Sequence, residues 1–349
     1  MPPSRPSRSG AFAPGRVNLI GEHTDYNQGL ALPFAISEGV TVRATALADG
    51  RIEALAVDIG ERDSFSVARP GRARGWRAFV RGAAGELDRA GARLRGAELE
   101  ITGTVPRGAG LSSSAALEVA LVLAMLAVSG EAEPDRIELA RLCSRIENEW
   151  VGARTGLLDQ IASLCGRNDC ALRIDFRSLD VRLVALELGD YRLVTVDSGE
   201  KHTHARSGYN ERRAECARAC AELGIASLRE ATLAMAASLP VPLSWRARHV
   251  ITENERVDAA VAALERGDMD KLGRLLDASH ASLRDCYEVS TPAVEAAVRR
   301  CKRAGALGAR IMGGGFGGHV IALLPPDAGR LDGAVEVRPG NGARVDSGS

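Results

Sequence analysis

The 349-residue sequence predicts an α+β protein of two lobes, and three observations carry that prediction. Strand-like and helix-like stretches do not alternate one for one, as a doubly wound parallel sheet would require. The early stretch GVTVRATALADGRIEALAVD, over 39–58, partly alternates on both sides of Asp49-Gly50, which predicts an antiparallel hairpin closed by a type I′ turn. The segment GARIMGGGFGGHVIALL, over 308–324, reads as strand, glycine loop, strand. At roughly 100–200 residues per domain, this length suits two domains with ample buried core.

The elements follow in order. MPPSRPSRSG carries basic residues and prolines with no apolar run behind it, so residues 1–10 are expected to be a frayed tail rather than a signal peptide or anchor. From Trp76 to Leu87 the apolar positions recur at three and four, the spacing of a helix facing a core. AELEITG alternates like a strand, and PRGAGLSSS is the loop that leads from it into AALEVALVLAMLAV, Ala115 to Val128. That run is interrupted by Glu118 and falls short of the ~20 residues of a spanning helix, so it reads as a buried helix. PDRIELARLCSRIENEW predicts a helix over 134–150, and TGLLDQIASLCG a shorter one opened by Thr155. Strand-like runs at 171–176, 182–188 and 191–196 precede a helical tract over roughly 206–304 that breaks near LPVPL, 239–243.

Composition narrows the function. Lysine plus arginine and aspartate plus glutamate both total 45, so there is no electrostatic footprint for nucleic acid or an anionic membrane. A small-molecule partner is expected instead. The seven cysteines are scattered mostly in helical patterns, which suits reduced thiols in a cytosol, and CGRNDC lacks both zinc spacing and a second pair.

Four stretches carry chemistry. GRVNLIGEHTDYNQG, 15–29, sets Arg16, Glu22, His23 and Asp25 around apolar Val17, Leu19 and Ile20, too charged for a buried strand and too apolar for a solvated loop. PRGAGLSSS places Gly108 and Gly110 after a strand and Ser112, Ser113 and Ser114 where a helix begins. Free helix-start amides and the helix dipole make an anion cradle there, although a plain glycine turn with a serine N-cap has the same pattern. No GK[ST] follows, so it is not a Walker loop. GGGFGG, 313–318, spells G-x-G-x-x-G but lacks the following helix and acidic residue of a dinucleotide site, and reads as a close-approach loop. Glu147 and Asp159 are carboxylates in helical context; Asp159, beside Leu157, Leu158 and Ile161, needs a partner, and Arg16 is the obvious one, as a structural ion pair or as part of a site. Tyr209 and Asn210 head a helix after Lys201-His202-Thr203-His204, a loop that reads as solvated.

Taken together these residues resemble the galactokinases of the GHMP kinase family. GRVNLIGEHTDYNQG is similar to that family's sugar signature, PRGAGLSSSAALEVA to its second motif and GARIMGGGFGGHVIAL to its third; IENEWVGARTGLLDQ, DSGEKHTHARSGYNERR, RARHVITENERV and ASHASLRDCYEVSTP match in order. The resemblance implies a ribosomal-S5-like N-terminal domain over 11–178 and a ferredoxin-like C-terminal domain over 179–349, with the third motif at 308–324 and the last segment returning to the first domain. It implies ATP-dependent phosphorylation of galactose at the anomeric hydroxyl, in the Leloir pathway, by a cytoplasmic monomer using MgATP. Catalytic roles fall on Arg16 and Asp159, and sugar contacts on Glu22, His23, Thr24, Asp25, Gly156, Asp159 and Tyr209. The triphosphate loop is Gly108, Ala109, Gly110, Leu111, Ser112, Ser113 and Ser114, and Mg²⁺ falls to Ser114 and Glu147. The alternatives are a kinase for N-acetylgalactosamine, a uronic acid, arabinose or mevalonate, and a non-catalytic sugar and ATP sensor. Two departures stand out: Ser207-Gly208-Tyr209 where the family commonly has Ser-Glu-Tyr, and His204 in the KHTHAR loop.

Overall fold

Apolar residues at alternate positions of the first strand sink it into a sheet, and its later half is buried on both faces, where helices cover it. The computed structural model describes residues 7–105, 111–153, 155–200 and 205–347. The first lobe contains β1 (Arg8–Asn18), β2 (Leu30–Ala31), β3 (Pro33–Leu47), β4 (Arg51–Ala56), β5 (Glu61–Ser66), α1 (Trp76–Arg89), β6 (Gly96–Gly103), α2 (Ser113–Ser129), α3 (Arg136–Arg145) and α4 (Leu158–Cys165). Next come β7 (Cys170–Asp175), β8 (Asp180–Ala185), β9 (Arg192–Asp197), α5 (Ala205–Leu223), α6 (Leu233–Ala237), α7 (Leu243–Glu265), α8 (Met269–Asp285) and α9 (Pro292–Arg303). The chain continues through β10 (Gly308–Ile311), β11 (His319–Leu324), β12 (Ala334–Glu336) and β13 (Arg344–Ser347).

The first lobe is a six-stranded sheet in the order β13-β1-β3-β6-β4-β5. Its inner face, with Ala13, Val42, Ala44 and Leu99, packs on α1 to α4, and α2 is buried on nearly every side. The second lobe has a four-stranded antiparallel sheet, β10-β11-β9-β12, under α5 to α9. A third sheet, β2-β7-β8, lies between them. Val17, Leu19 and Ile20 are 0 % exposed and join Val257, Leu276 and Leu323 in a core at the junction of the lobes. The apolar half of the opening motif therefore anchors it where the lobes meet.

Four sequence expectations change. The Asp49-Gly50 turn is real, but β3 and β4 do not form a hairpin: β6 inserts between them, antiparallel to β3 and parallel to β4. A local turn signal says nothing of a strand about 45 residues later whose backbone N–H and C=O groups find partners on both edges by entering between the two. Arg8, Ser9 and Gly10 are not tail but strand, paired with β3 and with β13, while residues 1–6 lie outside the described residues. The helix predicted over 134–150 ends as α3 at Arg145 and runs into a wider π-helical turn, Ile146–Val151. Thr155 does not open α4; the cap position is Leu157, and the Thr155 hydroxyl is bound to Glu147 instead.

Candidate active site

β1 bulges between Pro14 and Arg16, and a bulge re-aims the side chain after it. Gly15 makes this possible, because a Cβ there would sit 2.4 Å from the Leu111 carbonyl. That same carbonyl accepts the Arg16 N–H at 3.1 Å, tying the bulge to the segment ahead of α2. Arg16, itself buried, sends Nε and Nη2 to Oδ1 of Asp159 at 2.7 and 2.6 Å, across 143 residues of chain. The pair expected from sequence is formed. Oδ2 of Asp159 accepts from the Ser112 hydroxyl. Ser112 was expected in the triphosphate loop; its side chain makes no cap bond to α2 and turns to the carboxylate instead, from a left-handed backbone at φ 55°. The first amides of α2 therefore have no serine cap.

Arg16, Glu22, His23, Asp25, Ser114, Glu147, Gly156, Asp159, Tyr209 and Gly313–Gly315 line one cavity of about 480 Å³. The Glu22 carboxylate is held from behind by Arg310 at 3.1 Å and by the Gly313 N–H at 2.7 Å, so the GGGFGG loop flanks the site as a close-approach loop. Burial, with nearby His249 adding to it, holds His23 down to about 3, which keeps the ring neutral at neutral pH. Asp25 begins a short 3₁₀ turn, Asp25–Asn27, and burial raises it to about 6, with Asp159 and Glu22 adding repulsion. Gly156 makes room for it: a Cβ at 156 would lie 1.9 Å from Oδ2 of Asp25. The Tyr209 ring covers Gly314 and stands 5.3 Å from the His23 ring.

Thr24 is a correction. It is 0 % exposed, and its hydroxyl is occupied by the Gly21 and Leu30 carbonyls at 3.0 and 2.7 Å, so it braces the turn and does not face the cavity. Gly108, Ala109 and Gly110, and the 201–204 loop with His204, lie outside the described residues.

Glu147 sits in the π-helical turn, a feature common at functional sites. Burial and the charge of Asp159 raise it, against hydrogen bonds from Thr155, Ser114 and Gln160. Nε2 of Gln160 donates to Glu147 at 3.1 Å and to fully buried Glu118 at 3.2 Å. Four carboxylates thus face or line the cavity with Arg16 as the cation in its wall, an excess of negative charge that a divalent cation would offset. Among the described residues no group of three or more His, Cys, Asp or Glu side chains could hold a metal. One carboxylate and one hydroxyl suit Mg²⁺, which keeps waters and phosphate oxygens for its other positions.

A second cavity of about 450 Å³ opens beyond Ser113 and Ser114, with Val40, Ile59, Trp76 and Phe79 in its walls. Ser114 lines both cavities. Trp76 and Phe79 pack against the core of the first lobe, as their spacing predicts, and also line this cavity. Sequence reading gives no role to Arg310, and its place three residues before the glycine loop is the one hint.

Comparison with known proteins decides the family. Models of the GHMP kinase N-terminal domain, the galactokinase galactose-binding signature and the GHMP kinase C-terminal domain match residues 78–167, 4–46 and 260–334. A curated galactokinase from Mycobacterium tuberculosis is 46 % identical over 326 residues, 91 % of this chain and 89 % of that one. The chain belongs to the galactokinases. Within that family, the crystal structure of Lactococcus lactis galactokinase complexed with galactose superposes with a TM-score of 0.89 at 33 % identity, covering 97 % of this chain and 95 % of the other. A mevalonate kinase structure shares the fold, at TM-score 0.69 and 18 % identity over 95 % and 99 % of the two chains. The two-lobed GHMP kinase fold expected from sequence is therefore the observed one, and the fold alone does not choose the substrate. The departure at Gly208 has a physical reason among the galactokinase motifs: a Cβ there would lie 2.4 Å from the Phe316 ring of the glycine loop, so that loop packs directly on α5.

Proposed function

We propose that this chain transfers the γ-phosphoryl group of MgATP to the 1-hydroxyl of galactose, giving galactose 1-phosphate and ADP. The observation that carries the reading is the position of Asp159, which joins Arg16 and the head of α2 beside a wall of sugar-type donors and acceptors. A carboxylate has about four lone-pair sites. Arg16 uses two on Oδ1 and Ser112 one on Oδ2, which leaves one on Oδ2 for the sugar hydroxyl. Asp159 then accepts that hydroxyl's proton, and because phosphoryl transfer runs through a loose transition state, its larger service is to aim the oxygen. Arg16 offsets the charge that develops on the transferring group.

Glu22, Asp25, His23 and Tyr209 would read the other hydroxyls. Carboxylates accept from paired hydroxyls while the imidazole and phenol supply the opposite polarity, so an epimer leaves buried polar groups unpaired. The second cavity, between Trp76, Phe79 and Ile59, has an apolar lining and about 450 Å³ of volume that would take the adenine, with the phosphates then directed toward Ser114, which lines both cavities. Ser114 and Glu147 would hold Mg²⁺, which would supply screening of the phosphate charge during transfer. Among the described residues no helix is long and apolar enough to cross a membrane.

The test is a panel of sugars with ATP, scored for the 1-phosphate by ³¹P NMR. Galactose is expected to be turned over fastest; preference for N-acetylgalactosamine, a uronic acid or arabinose, or no transfer to any sugar, would overturn the reading.

A further inference from the structure

The turn that presents Glu22, His23 and Asp25 to the cavity has a backbone that is costly for the residues it carries. His23 sits at φ 60° and Gln28 at φ 57°, the left-handed region that crowds a side chain's Cβ, and Gly21 is at φ 99°. Such residues persist where surrounding contacts over-determine them. Here the contacts come from α7, in the second lobe. Nε2 of His249 is 3.1 Å from the Glu22 carbonyl, Oε1 of Glu253 accepts the Gly21 N–H at 3.0 Å, and Oδ1 of Asn254 accepts the Leu30 N–H at 2.7 Å. We propose that His249, Glu253 and Asn254 are positioning residues that hold residues 21–30 in this backbone, so that the affinity for sugar is set by a helix behind the cavity wall.

The partners fix each role. A carbonyl only accepts, so Nε2 of His249 donates to Glu22. Burial holds this ring down to about 4, so it is neutral and its Nδ1 accepts, from the Ser282 hydroxyl of α8 at 2.8 Å. Backbone N–H groups only donate, so Glu253 and Asn254 are the acceptors. Glu253 is wholly buried and both its oxygens are occupied, Oε1 also by the Ser279 hydroxyl at 2.6 Å and Oε2 by Nε of Arg256 at 2.7 Å. α8 thus backs α7, and α7 backs the turn.

These contacts bracket the sugar-reading side chains. Glu253 and Asn254 fix the two ends of the turn, and Gly29 lets Asn254 approach, because a Cβ there would lie 2.5 Å from its Oδ1. His249 fixes the peptide that joins Glu22 to His23, and the Asn27 amide fixes the next one by donating to the His23 carbonyl at 2.8 Å. Rotation of the first of these peptides would swing Glu22 and His23 together. The Tyr287 ring carries the same hold to the imidazole, standing 4.4 Å from the His249 ring and 4.7 Å from the His23 ring.

The effect on sugar rests on the function proposed above, so one arm of the test is made without sugar. In the full chain, His249→Leu removes the donor at similar volume, and His249→Gln returns an N–H donor near the position of Nε2. Hydrogen exchange followed by NMR should show the Gly21 and Leu30 amides exchanging at least about tenfold faster in His249→Leu, although their own acceptors are intact. The amides of the β9–β11 ladder should be unchanged, and His249→Gln should match the wild type. In turnover assays His249→Leu and Asn254→Leu should each raise the galactose KM about tenfold, as expected for one lost hydrogen bond, with the ATP KM unchanged; His249→Gln and Asn254→Asp should stay within about twofold. Unchanged Gly21 and Leu30 exchange in His249→Leu, or a lower Tm with an unchanged galactose KM in both leucine variants, would overturn the proposal. Should His249→Leu fail to fold, Asn254→Leu, at a half-buried position, decides it through Gly21 exchange and the galactose KM. Failure of the wild-type chain to phosphorylate galactose would count against the function, and the exchange arm would still decide whether α7 holds the turn.

Discussion

Gly156→Ala is the smallest change that tests the sugar wall. The added methyl would lie 1.9 Å from Oδ2, 2.5 Å from Cγ and 3.1 Å from Cβ of Asp25. Ordinary contact between such carbon and oxygen atoms is near 3.5 Å, so the carboxylate must retreat by more than about 1 Å. Asp25 is short and its own Cβ is already close, so the retreat is a rotation of the carboxylate out of the cavity. The backbone at 156 is not left-handed, and alanine adds no strain of its own. A displacement of about 1 Å in a positioning group costs about 100-fold in rate, or about 2.7 kcal/mol. The expected result is a kcat/KM for galactose about 100-fold lower, with ATP affinity and Tm within the range of surface substitutions. Steady-state kinetics on both substrates and thermal denaturation would measure it. A Gly156→Ala enzyme with near wild-type kcat/KM for galactose would refute the placement of Asp25 in the sugar wall.

Three further outcomes are expected. Asp159→Asn puts an amide where two Arg16 contacts and the sugar hydroxyl need an acceptor, and should lower kcat by about 10²–10⁴ with ATP binding retained in calorimetry. Glu147→Gln should raise the Mg²⁺ concentration for half-maximal turnover by about 10-fold or more, read by a Mg²⁺ titration at saturating ATP. Asp25 is raised from 3.8 to about 6, so holding it ionised costs the sugar-free fold most above about pH 6, and the cost is relieved as the pH falls toward 3.8; Asp25→Asn should flatten the dependence of Tm on pH across that window. The same titration removes the ionised acceptor, so the kcat/KM for galactose should fall as the pH drops below about 6 in the wild type.

The pairing of Arg16 with Asp159 was legible because a carboxylate among Leu157, Leu158 and Ile161 needs a cationic or hydrogen-bonding partner when buried, and the opening motif offered one. The anchoring role of Val17, Leu19 and Ile20 was legible for the same kind of reason, since apolar residues beside charges imply one buried side and one facing a site. What the sequence concealed were side-chain directions and distant partners. Thr24 sits between His23 and Asp25 in the motif, yet the turn points its hydroxyl at backbone carbonyls, and sequence adjacency cannot show this. Ser112 lies among three serines of equal chemistry, and only its left-handed backbone sends its hydroxyl to Asp159. Arg310 reaches Glu22 across 288 residues, and β6 enters between two strands that a turn signal had joined.

The central claim is that Asp159, held by Arg16, aims the sugar's 1-hydroxyl at the nucleotide's terminal phosphate. A crystal structure with galactose and a non-hydrolysable ATP analogue tests it most directly. The account predicts the anomeric oxygen within about 2.6–3.2 Å of Oδ2 of Asp159, facing the γ-phosphorus, with adenine between Trp76 and Ile59. An anomeric oxygen turned away from Asp159, or a nucleotide whose phosphates do not pass Ser114, would contradict it.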